Sequence, residues 1–135
     1  MKTLRPPAFI FVAAFLLNFA WEYAHSVLYL SYRGGEITSL ILFRAALFDA
    51  AVITLFAAPF FLQKQHCEKR WLFVVALSVF AVLLERWALG SSRWVYADAM
   101  PIIPVLNVGL TPAIQLGLLG YISQKISEHF ESKLP

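Results

Sequence analysis

Four stretches of the chain are almost uniformly apolar, at about residues 8–30, 37–62, 71–89 and 102–122, and short polar segments separate them. Crossing a bilayer takes roughly 20 helical residues, and each run has that length. Backbone groups in lipid must be satisfied within their own segment, so each run is predicted to be a helix. The pattern therefore predicts an all-α fold: an integral membrane bundle of four transmembrane helices, forming a single domain over residues 1–135. Almost no chain is left for an extramembrane domain. The first run is too long for the apolar core of a signal peptide, and its far end carries Glu22 and His25 where a cleavage site would need small residues. It is expected to be retained.

The polar residues inside these runs are few and spaced. Residues three, four and seven apart share a helix face, so Asn18, Glu22, His25 and Tyr29 form one stripe, with Trp21 beside it. In the predicted fourth helix, Asn107, Thr111 and Gln115 form a second stripe. Gly109, Ala113 and Gly117 lie roughly opposite as a small-residue ridge against which a neighbouring helix can pack closely. Arg44 comes early in the second run and Asp49 near its middle, while Glu85 and Arg86 close the third. These positions gather in one half of the bundle, and the other half is expected to be nearly free of polar groups. An ionisable group at bilayer depth costs at least roughly 2.5–3.5 kcal/mol, so it normally faces the bundle interior or a wet cavity. A polar cavity in that half is therefore predicted. Glu22, Asp49 and Glu85 outnumber the fixed cations Arg44 and Arg86. Either His25 is charged or one carboxyl keeps its proton near neutral pH, which makes that carboxyl a candidate general acid.

The segment "ERWALGSSRWVYADAMPIIP" is predicted to cover this cavity, with Trp87, Trp94 and Tyr96 at the interface where amphipathic rings prefer to sit. Pro101 and Pro104 would open the fourth helix. Pro112, deeper, would free the carbonyl of Val108 and give a kink or a ligand-facing acceptor. Asp98 would cap the loop or reach inward.

Composition agrees with the pattern: 60% of residues are hydrophobic and 14% charged, against about 25% charged in soluble domains. The net charge of +3 is small and scattered, which argues against nucleic acid as a partner. Its distribution decides orientation. Lys2, Arg5, Lys64, Lys69, Arg70, Lys125 and Lys133 fall on one side and Arg33 and Arg93 on the other, which predicts both termini in the cytoplasm of a multi-pass inner (cell) membrane protein. Cys67 then lies in a cytoplasmic loop and stays reduced. His66 and His129 read as solvated. No nucleophile motif or phosphate-binding glycine loop occurs. No metal is expected, although a carboxylate-rich site built from Glu22, His25 and Glu85 stays open as an alternative.

The stretch "NFAWE", Asn18–Glu22, resembles the Asn-x-x-Trp-Glu helix of the integral membrane terpene cyclases that make fungal meroterpenoids. Those cyclases are larger and have more spans. The resemblance implies that Glu22 contributes to acid-initiated chemistry and that Trp21 stabilises cationic charge. The chain as a whole, with "MPIIPVLNVGLTPAIQ", is more similar to small bacterial four-helix membrane proteins, a likeness that brings no activity with it.

Three functions compete. The first is acid–base chemistry, an isomerisation or cyclisation, on a lipophilic or isoprenoid-like substrate. There Glu22, His25, Glu85 and Asp49 would act as the catalytic set, and Asn18, Trp21, Arg44, Trp94, Tyr96, Asn107, Thr111 and Gln115 would bind substrate. The second is proton-coupled transport by a small transporter, acting as a homodimer, with Glu22 cycling its proton. The third is a membrane assembly or helper subunit. The cofactor is unknown, and the partners are the bilayer and a lipophilic small molecule.

Overall fold

The first apolar run folds as α1, Arg5–His25, in the computed structural model, which describes residues 5–62 and 68–134. Pro6 and Pro7 lie in its first turn, where their missing N–H groups would have no helical acceptor. The helix stops at His25, five residues before the predicted end at 30. A 3₁₀ turn over Ser26–Leu28 follows, and then a strand, β1, Tyr29–Tyr32. Aromatic residues favour a pleated surface, and Arg33 and Gly34, both with positive φ (49° and 76°), fold the chain back. β1 pairs antiparallel with β2, Trp94–Tyr96, which sets Tyr29 opposite Tyr96 and Tyr32 opposite Trp94.

α2 spans Ser39–Leu62, and the Thr38 hydroxyl accepts the Ile41 N–H at its start. α3 spans Arg70–Gly90. The fourth apolar run departs most from expectation. Residues 102–109 are not helical: β3, Ile102–Ile103, pairs antiparallel with β4, Val108–Gly109, and α4 begins only at Leu110 and runs to Glu131. The reason is local. Pro104 disfavours helix at Ile103, and Asn107 takes a left-handed φ of 53° that closes the turn. Pro101 therefore precedes a hairpin, its carbonyl accepting the Leu110 N–H at 2.7 Å, and neither Pro101 nor Pro104 opens a helix. Pro112 falls in the first turn of α4, where the missing donor costs nothing. No kink results.

α1 and α4 pack along each other, with α2 against α1 and α3 against α4. α2 and α3 meet only sparsely. The close-packing ridge of α4 lies further along the helix than the spacing predicted. Gly109 precedes the helix, and the contacts with α3 are at Gly117 and Gly120. A Cβ at Gly117 would fall on Ser78 Oγ and 3.2 Å from the Val74 carbonyl oxygen. Ile10, Ala14, Ile53, Phe73 and Leu77 form the buried core at this level.

Three helical segments are long and apolar enough to cross a membrane: Pro6–Leu28, Ser39–Phe60 and Arg70–Gly90. Large apolar side chains such as Val12, Leu16, Leu55, Val79 and Leu83 lie exposed on them, as expected of helices that are hydrophobic all round. The expectation that one half of the bundle lacks polar groups fails. α4 continues nine residues past 122 and buries Ser123, Gln124 and Ser127, while Glu128 pairs with Arg70 at 2.5 Å. Lys2, Lys64, His66 and Cys67 lie outside the described residues. His129 is exposed, as expected.

Candidate functional site

The helix periodicity of α1 brings Asn18, Glu22 and His25 to one side, and α4 meets that side with Gln115. The Gln115 amide nitrogen lies 3.0 Å from Asn18 Oδ1, 2.8 Å from Glu22 Oε1 and 2.9 Å from Asp49 Oδ2. One buried amide thus joins α1, α2 and α4. It has two N–H protons and faces three acceptors. Asn18 is wholly buried and held by its own donor, which bonds the Ala14 carbonyl at 2.7 Å. Asn18 is a support for Gln115 and does not line the cavity described next.

Beside this junction lies a cavity of about 610 Å³, walled by Glu22, His25, Asp49, Glu85 and Gln115 together with residues of the α2–α3 gap. The volume is in the range of small-molecule sites. All four predicted catalytic residues, Glu22, His25, Asp49 and Glu85, line it. The His25 Nδ1–H donates to the Trp21 carbonyl at 2.8 Å, one turn back, which leaves Nε2 as the free ring position.

Glu85 reaches the cavity from the last turns of α3. It accepts from the Trp94 indole N–H at 3.3 Å and from the Tyr96 hydroxyl on the same oxygen. The Tyr96 oxygen in turn accepts the Gly109 N–H at 2.9 Å, tying the β1–β2 pair to the β3–β4 hairpin over the site. Burial, with the Glu85 contact adding to it, pushes the Tyr96 hydroxyl above its usual range. Burial does the same to Tyr29, so both rings present an O–H at neutral pH. Tyr29, Tyr32 and Trp94 line the cavity, whereas Tyr96 is behind Glu85.

Several expectations are corrected here. Asn107 is exposed on the β3–β4 turn, and Thr111 is turned to the Met100 sulfur at 3.4 Å, so neither shares a cavity face with Gln115. Both corrections follow from the late start of α4. Trp21 packs against the core outside the cavity wall, its buried Nε1 without a partner among the described residues. Arg44 lines the cavity, but Arg86 is exposed and does not. Arg93 occupies the role expected of Arg86, its guanidinium 4.6 Å above the Trp87 ring. Asp98 is exposed.

Arg93, Trp87 and Tyr32 are wall residues that helical spacing does not place in the site. A signal for the last is present in "YLSY" and "WVY", two short aromatic runs of the kind that pair as strands. Among the described residues, no group of three or more His, Cys, Asp or Glu is close enough to hold a metal ion.

The arrangement is a set of carboxyls with neutral donors, an imidazole with one free nitrogen, and apolar walls. It is suited to giving and taking protons beside a largely apolar wall. Comparison of the chain with protein-family models, with curated proteins and with solved structures finds no match.

Proposed function

We propose that the protein is a multi-pass membrane enzyme that performs acid–base chemistry, an isomerisation or cyclisation, on a lipophilic substrate held in this cavity. The observation that carries the reading is the Gln115 junction. Two carboxyls from different helices share one amide nitrogen whose two protons must also serve Asn18. That shortage is relieved if Glu22 and Asp49 hold a proton between them, and such a proton is available to a substrate in the cavity. His25, one turn from Glu22, would take a proton back at Nε2. Glu85, held by Tyr96 and Trp94, would set the local field.

In this reading α4 forms a fourth span beside the three apolar helices. The basic end of the bundle, with Arg70, Lys125 and Lys133, lies in the cytoplasm of the inner membrane, and the cavity opens in the outer half. The exposed apolar faces of α1, α2 and α3 support a membrane setting for the bundle.

Proton transfer to and from carbon gives a test that works without naming the substrate in advance. Protein reconstituted with a total lipid extract in deuterium oxide is expected to incorporate deuterium into a lipid-soluble compound, read by mass spectrometry. Glu22→Gln is expected to abolish the label while the protein stays folded and abundant. A label unchanged in Glu22→Gln defeats the reading. Solute uptake into sealed vesicles driven by an imposed proton gradient, with no deuterium label, would favour transport instead.

A further inference from the structure

The charges of the cavity are arranged asymmetrically. Its carboxyls all accept from neutral groups: Glu22 and Asp49 from Gln115, and Glu85 from Tyr96 and Trp94. Its two arginines have no acid partner, since the only ion pair among the described residues is Arg70–Glu128, away from the cavity. Arg44 stands on α2 and Arg93 just beyond the end of α3, so they stand on the two walls of the sparsely packed α2–α3 gap. Trp87 underlies Arg93, and a ring face holds a guanidinium without using any of its N–H donors. The cavity wall also carries apolar side chains, among them Ile41, Phe48 and Leu84.

We propose that the substrate is an amphiphile with an oxyanion head, a carboxylate or a phosphate. Arg44 and Arg93 clasp the head at the mouth of the α2–α3 gap, and the chain runs inward to the acids. This rests on the functional reading above and names the substrate class for that same site. Each carboxyl already takes a donor on one oxygen, whereas neither arginine has an acid partner among the described residues, so the arginines are the groups that an oxyanion head completes. A neutral head supplies no counter-charge to either guanidinium. The planar guanidinium fork matches either oxyanion, so the site chemistry is shared between a fatty acid and a phosphorylated lipid alcohol.

The test uses the full chain in nanodiscs of neutral lipid, with dodecanoate, dodecyl phosphate, dodecanol and dodecylamine as probes of equal chain length. Saturable one-to-one binding of dodecanoate or dodecyl phosphate is expected, and the tighter of the two identifies the head. Arg44→Gln and Arg93→Gln are each expected to weaken it by about tenfold or more. Arg33→Gln and Arg86→Gln remove exposed arginines outside the cavity wall and are expected to leave it unchanged. Equal or tighter binding of dodecanol or dodecylamine overturns the proposal, as does an equal loss in Arg33→Gln, which would show attraction to surface charge alone. The deuterium assay separates the two ideas. Label that persists without anionic-amphiphile binding defeats only the head-group assignment, and binding with a label indifferent to Glu22→Gln defeats only the catalytic reading.

Discussion

The two ends of the bundle both bury polar side chains, and they do so in different ways. At the capped end, Asn18, Asp49, Glu85 and Gln115 are drawn from four helices and bond to groups on other elements beside an open cavity. At the end bearing the termini, Ser123 returns its hydroxyl to the Leu119 carbonyl of its own helix, and Ser127 lies 2.7 Å from Glu131 one turn on and 3.4 Å from the Pro6 carbonyl of α1. Glycines 117 and 120 close the α3–α4 seam between the two regions. Buried polarity therefore does not mark a site by itself. What distinguishes the capped end is a shortage of donors among groups from different helices, next to space for a ligand. At the terminal end Ser123 is satisfied within its own helix and Glu128 by Arg70, and among the described residues no carboxyls from different helices converge there on one donor.

The sharpest way to break this contrast is to make the same change in both regions. α4 carries a buried glutamine in each, Gln115 and Gln124, nine residues apart. Methionine is unbranched and of similar length, so the exchange removes hydrogen bonding and little else. Gln115→Met leaves Asn18, Glu22 and Asp49 without their shared donor. An unsatisfied buried group costs about 1–3 kcal/mol, and more when charged, so a loss of at least about 3 kcal/mol is expected. Thermal unfolding of the purified protein in mild detergent reads it. A loss below about 1 kcal/mol would mean that water already serves those acceptors and that the junction does not hold the helices together.

How much of this is legible in the sequence depends on the range of the contact. The convergence of Glu22, His25, Asp49, Glu85 and Gln115 follows from helical spacing and from the cost of placing ionisable groups at depth, and both can be read from local sequence. The cap over the site cannot. β1 and β2 are more than sixty residues apart in sequence, and neither run of three or four residues announces its partner. Helical spacing puts Gln115 on the correct face through a stripe that does not form, because Asn107 and Thr111 precede or open the helix that Gln115 belongs to. Pro104 and Asn107 carry the contrary signal, a turn, inside a run apolar enough to pass for a span. Arg93 reads as a loop residue and Arg86 as a site residue because depth along a helix fixes height but not azimuth.

The seam between the two regions gives an intermediate effect. Gly117→Val would push a branched side chain into Ser78 and the Val74 backbone, and backbone yields less readily than a side-chain tip. Overpacking of this kind costs about 1–3 kcal/mol. Because α3 also carries Glu85, a shifted α3 is expected to alter the Trp94 environment as well, seen as a change in tryptophan emission at temperatures where the protein is still folded. A destabilised variant with unaltered emission would show that the seam and the cap are mechanically independent.

The smallest effect is expected at the second glutamine, and its smallness is the point. Gln124 is 3% exposed, and its Oε1 has no hydrogen-bond partner among the described residues. A buried acceptor left unpaired is already a liability in the folded state, so replacing it by a group with no such need removes a penalty while keeping the shape. Gln124→Met is expected to be neutral or to stabilise by up to about 1 kcal/mol, opposite in sign to Gln115→Met. Two glutamines on one helix, equally buried, would then differ only in what surrounds them. If Gln124→Met instead destabilises as strongly as Gln115→Met, Oε1 is engaged by an ordered water or a lipid headgroup. The terminal end would then hold a polar network of its own, and the distinction between the two regions would disappear.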